Sequence, residues 1–145
     1  MRFLFKRISI SSDHAGFKLK KKIIKYLKRK KINVIDHGPL NEVSVDYPDF
    51  AKKVARSVLS KKSNMGILVC GSGTGMAITA NKFKKIRAAV CYNKETTRLS
   101  RKHNNANIIA LGSRLIVYAN AIKLVNIFMS TKFEGGRHLR RVNKI

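Results

Sequence analysis

A short apolar run, Gly66 to Val69, reaches Cys70 and then meets glycine at every second position, Gly71, Gly73 and Gly75, before a helical pattern opens at Met76. Few folds accommodate that order. A buried strand that turns through glycines directly into a helix is a βα unit. Its turn gathers backbone N–H groups at a helix start, where they and the helix dipole favour an anion. A cysteine at the lip of such a turn lies where a thiolate is stabilised. The same residues also suit a plainer structure, a tight turn with Cys70 packed as a small hydrophobe. The rest of the chain has to decide between the two.

The flanking sequence repeats the βα theme. Arg7 to Ser11 alternates at period two, as a strand does, and ends in the polar turn Ser12-Asp13-His14-Ala15-Gly16. A helix is expected from Phe17 to about Lys31, a second strand over Ile32 to Asp36, and a helix opened by Pro48, with Phe50, Val54, Ala55 and Val58 on its apolar face. Gly66 to Cys70 is the third strand, and its following helix is expected to run to about Phe83. Ile86 to Cys91 reads as a fourth strand, Thr96 to His103 as a helix, and Ile108 to Leu111 as a fifth strand. Leu115 to Met129 is apolar with little charge, so that helix is expected to be covered on more than one side, against another subunit among the choices. Five short strands alternating with helices predict a three-layer α/β/α sandwich around a five-stranded parallel, Rossmann-like sheet, one domain over residues 1–145. In such sheets ligands gather beyond the carboxyl ends of the strands. Those ends carry Asp13-His14, Cys70 with its glycines, Cys91-Tyr92 and Gly112-Ser113-Arg114.

The charge of the chain admits two readings. The net charge is +25, and nine of the fourteen residues from Lys18 to Lys31 are basic. Nucleic-acid binding is one reading of such a charge. Phe17, Ile23, Ile24 and Leu27 nevertheless keep an apolar stripe through the lysines, which is a solvated helix face. No zinc finger or RNA-binding signature accompanies it, so no specific nucleic-acid partner is expected. The seven acidic residues are scattered, and Cys70 and Cys91 have no metal-ligand spacing, so no metal is expected. No apolar run is long enough for a membrane span, and Phe3-Leu4-Phe5 is too short for a secretory signal, so a cytoplasmic protein with no membrane partner is expected.

Several further segments share one order and spacing with a known family: Ser12 to Phe17, Asp46-Tyr47-Pro48, Cys70 to Met76, Ala80-Asn81-Lys82, Ile86-Arg87-Ala88, Ser100 to Asn104, Asn107, Leu111 to Arg114, and Phe133 to His138 on to Arg141. Over about Ile8 to Val142 the chain resembles the type B ribose-5-phosphate isomerases, in the family that includes galactose-6-phosphate isomerase subunits. The resemblance implies an aldose–ketose isomerase of ribose 5-phosphate and ribulose 5-phosphate, a step of the pentose phosphate pathway. It also implies no cofactor, and a homodimer or dimer of dimers whose sites are completed by a neighbouring subunit. Some relatives lack the loop cysteine and use a glutamate where this chain has Met76, so Cys70 places it in the cysteine-base group.

The reaction moves a proton between adjacent carbons through an enediolate, and the resemblance distributes the work. Cys70 is the carbon base, and the backbone N–H groups of Gly71, Ser72, Gly73, Thr74 and Gly75 hold the enediolate oxygens. The Ser72 hydroxyl adds a contact, while Thr74 chiefly shapes the loop. His103 opens the sugar ring. Asp13 holds a sugar hydroxyl, orients a histidine, or caps the first helix. Tyr47 and Asn104 bind hydroxyls. Arg137 and Arg141, four apart, share one helix face as a phosphate clamp, joined by Arg114 and His14, whereas Arg140 falls on the surface. Cys91 is structural and His37 is incidental. Two alternatives remain: an isomerase of a six-carbon sugar phosphate, such as allose or galactose 6-phosphate, and a basic nucleic-acid-binding α/β protein.

Overall fold

The computed structural model describes all 145 residues, Met1–Ile145. The strands are β1 (Arg7–Ser12), β2 (Asn33–Asp36), β3 (Met65–Cys70), β4 (Ala88–Val90) and β5 (Ile108–Gly112). The helices are α1 (Phe17–Arg29), α2 (Tyr47–Leu59), α3 (Thr74–Ala80), α4 (Lys94–Lys102), α5 (Tyr118–Ser130) and α6 (Arg137–Val142). All strand pairs are parallel, in the order β2-β1-β3-β5-β4. The chain winds outward from β1 to β2, then returns to the other side of β1 for β3. The switch point is therefore between β1 and β3, where Ser12 pairs with Val69 and brings Asp13 level with Cys70.

Period-two alternation divides the sheet between two cores. Met65, Ile67 and Val69 of β3 join Ile8, Ile10, Ile109 and Leu111 under α1 and α5. Leu68 and Cys70 join Ile108 and Ala110 under α2 and α3. Helices thus cover both faces of a five-stranded parallel sheet, the expected sandwich. Close backbone packing at the switch point explains Gly16, where a Cβ would stand 2.2 Å from the Val69 carbonyl oxygen.

Four elements depart most from expectation, each for a local reason. The helix after the glycine loop starts at Thr74 and ends at Ala80, because Lys82 and Phe83 turn back onto Thr79 and Ala80. β4 keeps only Ala88–Val90: the Ile86 N–H bonds Phe83 and the Arg87 N–H bonds the Asn107 side chain. α4 begins at Lys94 because the Asn93 side chain accepts from the Thr96 N–H as an N-cap. Leu115 and Ile116 bond back to Gly112 in a turn, so α5 begins at Tyr118. Within the chain, α5 is covered on one face rather than several: Ala121, Leu124, Val125, Phe128 and Met129 follow a single stripe. No helix is long and apolar enough to cross a membrane.

Candidate active site

Beyond the carboxyl ends of β1 and β3 lies a cavity of about 450 Å³, lined by Asp13, Tyr47, Cys70, Gly71, Ser72, Gly75, Arg114 and Leu115. Cys70 is the last residue of β3 and is buried. Its Sγ accepts a hydrogen bond from the Gly73 N–H at 3.1 Å. Gly73 reaches that position at φ 81°, with the Leu111 backbone 3.0–3.2 Å from where a Cβ would be. Glycine is required there on both counts. The following helix has only seven residues, so its dipole is short.

The other glycines make room for side chains. A Cβ on Gly75 would meet Tyr47 Cε1 at 2.5 Å, and one on Gly71 would meet Arg114 Nη1 at 3.1 Å. Tyr47 and Arg114 therefore lie against the loop as walls of the cavity. Ser72 is exposed, its Oγ accepts from the Thr74 N–H, and its carbonyl accepts from the Tyr92 hydroxyl. Asp13 is 8% exposed, and its Oδ1 accepts from the Gly16 N–H. Asp13 thus stabilises the turn into α1 and lines the cavity at once. His14 does not line it: its Nδ1 accepts from the Val45 N–H and so secures the segment that leads to Tyr47.

The other candidates form a second cluster. His103 follows α4 directly, and a cavity of about 440 Å³ is lined by His103, Asn104, His138, Arg141, Val142 and Ile145. Arg137 and Arg141 begin and nearly end α6, one turn apart on its exposed side. The His103 and His138 rings stack with centroids 4.1 Å apart and planes 11° apart. Burial, the neighbouring His103 and Arg137 push the His138 pKa down against the pull of Glu134. Glu134 Oε2 lies 3.6 Å from His138 Nε2, and Oε1 lies 3.4 Å from Lys102 Nζ.

The two clusters occupy opposite edges of the sheet. α4 runs back against the strands, so its end, with His103, stands where β5 begins, while Cys70 pairs with Gly112 where β5 ends. Four residue steps of strand separate those edges by roughly 13 Å. One chain therefore does not bring Cys70 and His103 onto the same small molecule.

Sequence reasoning left several supporting residues without a role. His138 and Glu134 both lie in the Phe133–Arg141 segment, where an acid and a histidine four apart were the available signal. Arg101 is buried and donates to the carbonyls of Thr131 and Ala106 and to Asn105 Oδ1, with Phe5 and Phe128 on its faces. Burial lowers its pKa to about 10, so it keeps its charge at neutral pH. It fixes the turn that presents His103. Cys91 is buried with its thiol pKa pushed up by burial, in keeping with a structural part.

The fold and this loop define a class: small α/β proteins that bind a ligand at the switch point of a parallel sheet, beside a nucleophilic side chain. Residues 8–145 match the Ribose/Galactose Isomerase family, and the chain belongs to that family. It is 41% identical over 140 residues to ribose-5-phosphate isomerase B of Escherichia coli, covering 97% of this chain and 94% of that one. A crystal structure of a ribose 5-phosphate isomerase from Thermotoga maritima superposes with a TM-score of 0.94 at 54% identity, covering 95% of each chain. Ribose-5-phosphate isomerase B from Mycoplasma genitalium, solved with bound ribulose-5-phosphate, gives 0.90 at 45% identity, covering 95% of this chain and 92% of that one.

Proposed function

We propose that this protein interconverts ribose 5-phosphate and ribulose 5-phosphate, a step of the pentose phosphate pathway in the cytoplasm, and that it works as a homodimer or dimer of dimers. The observation that carries the reading is the Gly73 N–H directed at Cys70 Sγ inside a cavity walled by Asp13, Tyr47 and Arg114. The donor holds the sulfur in place facing the cavity, and the N–H groups around it suit an oxyanion beside the reacting carbon.

The chemistry runs in two stages. His103, supplied by a neighbouring subunit, passes a proton to the ring oxygen as the anomeric hydroxyl loses one, which opens the furanose. The Cys70 thiolate then takes the proton from C2 of the aldehyde. The electron pair of that C–H bond forms the C1–C2 double bond, and the carbonyl oxygen becomes the enediolate oxygen held by the Gly71–Gly75 loop. Return of the proton to C1, with transfer of the O2 proton to O1, completes the ketose. Asp13, Tyr47 and Asn104 hold sugar hydroxyls, and Arg137 and Arg141 grip the phosphate with Arg114 on the same ligand, while His14 secures the Val45 segment beside the site.

Turnover assays with ribose 5-phosphate, allose 6-phosphate and galactose 6-phosphate test the assignment. Ribose 5-phosphate is expected to be isomerised fastest. A preference for either six-carbon substrate would reassign the substrate, and no turnover on any of them would overturn the isomerase reading.

A further inference from the structure

The His103 ring takes part in no side-chain hydrogen bond of the chain, and its orientation comes from its face. It lies flat on the His138 ring, centroids 4.1 Å apart and planes 11° apart. Such a stack fixes the plane of a ring and leaves the nitrogens at its edge unoccupied, here on a residue that lines a cavity with Asn104 and Arg141. The supporting ring is itself clamped. His138 is 7% exposed, and its N–H donates to the Gly135 carbonyl in the turn that opens α6. Glu134 reaches both sides of the stack. Its Oε2 stands 3.6 Å from His138 Nε2, its Oε1 stands 3.4 Å from Lys102 Nζ, and its N–H donates to the Lys102 carbonyl, one residue before His103. Burial first, then His103 and Arg137, lower the His138 pKa, so this ring is uncharged near neutral pH. A second cation therefore does not face His103 when that ring takes up a proton.

We propose that His138, clamped by Glu134, is the positioning residue for ring opening: its imidazole is the floor that fixes the plane in which His103 presents a nitrogen to the sugar. This role rests on the isomerase reading above and on the ring opening given there to His103. His138 acts through His103 and transfers no proton itself. Removing the floor leaves the phosphate grip in place, because Arg137 and Arg141 lie on the exposed side of α6. It frees the His103 ring to rotate, so fewer encounters with the sugar find it aligned.

The test reads ring opening apart from proton transfer between carbons, which Cys70→Ala blocks. Exchange NMR on ribose 5-phosphate follows the interchange of its two furanose anomers, a process that requires the ring to open and close. The Cys70→Ala protein is expected to accelerate that interchange over buffer. Adding His138→Ala is expected to lower the acceleration about tenfold or more, with the Kd for ribose 5-phosphate changed less than about threefold. Adding His138→Phe instead keeps a flat ring under His103 and is expected to recover most of the acceleration. Equal interchange with and without His138→Ala overturns the positioning role, as does a His138→Phe protein as slow as the alanine variant. A His138→Ala protein that no longer binds ribose 5-phosphate also overturns it, because the residue then holds the ligand or the fold. No acceleration by the Cys70→Ala protein takes ring opening away from His103 and overturns the role of His138 with it. A native chain without turnover on ribose 5-phosphate refutes the isomerase reading instead, while the anomer interchange still reports on the stack.

Discussion

Gly73 donates its N–H to Cys70 Sγ at 3.1 Å from a backbone position, φ 81°, that other residues rarely adopt. The sulfur's partner is therefore main chain, fixed by the turn and independent of any side-chain rotamer. Replacing Cys70 by Ala or Ser removes the base and leaves the cavity walls in place. The expected loss in kcat is on the order of 10²–10⁴-fold, with KM changed only a few-fold. Steady-state kinetics on ribose 5-phosphate check it, and full activity in Cys70→Ala would end the cysteine-base mechanism while leaving the isomerase reading intact.

The loop was legible because its information is local: a strand, a cysteine and alternating glycines lie within a dozen residues. The sheet was legible for a similar reason, since each βα unit writes its own periodicity. Strand order was not, because only long-range pairing places β3 beside β1. The His103–His138 stack joins residues 35 positions apart, brought together where the Glu134 N–H bonds the Lys102 carbonyl. No periodicity encodes that meeting. The start of α5 was misread because Leu115 and Val117 are apolar yet 57% and 66% exposed, so hydrophobicity there does not mark a packed helix face.

Lys20 is fully buried in a helix whose other lysines are almost all solvated. Its ammonium donates to Asp36 Oδ1 at 2.9 Å and to the Pro39 carbonyl at 2.7 Å, tying α1 to the end of β2 and the turn beyond. Lys20→Met keeps the aliphatic packing, strands the Pro39 carbonyl and leaves Asp36 Oδ1 with the Gly38 N–H alone. Asp36 retains some contact with water, so the expected cost is about 1–3 kcal/mol. For a chain of this size that lowers Tm by roughly 3–10 °C, measurable by thermal unfolding. An unchanged Tm would show that the pair contributes no net stability.

His37 is expected to make the fold less stable in acid. Burial lowers its pKa below 6.5 in the folded chain despite Asp36, and Lys53 and Lys62 lower it further. Its Nε2 lies 2.9 Å from Ser9 Oγ. Below pH 6.5 the unfolded chain binds the His37 proton more readily than the folded chain does, so stability falls as pH drops from 6.5 through the folded value. Urea midpoints measured between pH 7.5 and 5 should decline less steeply for His37→Asn than for the native sequence. Equal slopes would remove His37 from the account.

The opposite placement of Cys70 and His103 makes the strongest demand on assembly. If a substrate spans the carboxyl edge of one subunit and the amino edge of another, each site takes Cys70 from one chain and His103 from its partner. Cys70→Ala and His103→Asn homodimers then have no intact site. A mixed dimer has one site with both lesions and one with neither. Unfolding and refolding an equal mixture, with random pairing, should restore roughly a quarter of native turnover. The same mixture without subunit exchange should stay inactive. If each chain held a complete site, every site in the mixture would carry a lesion and refolding would restore nothing, so the assay separates a shared site from a self-contained one.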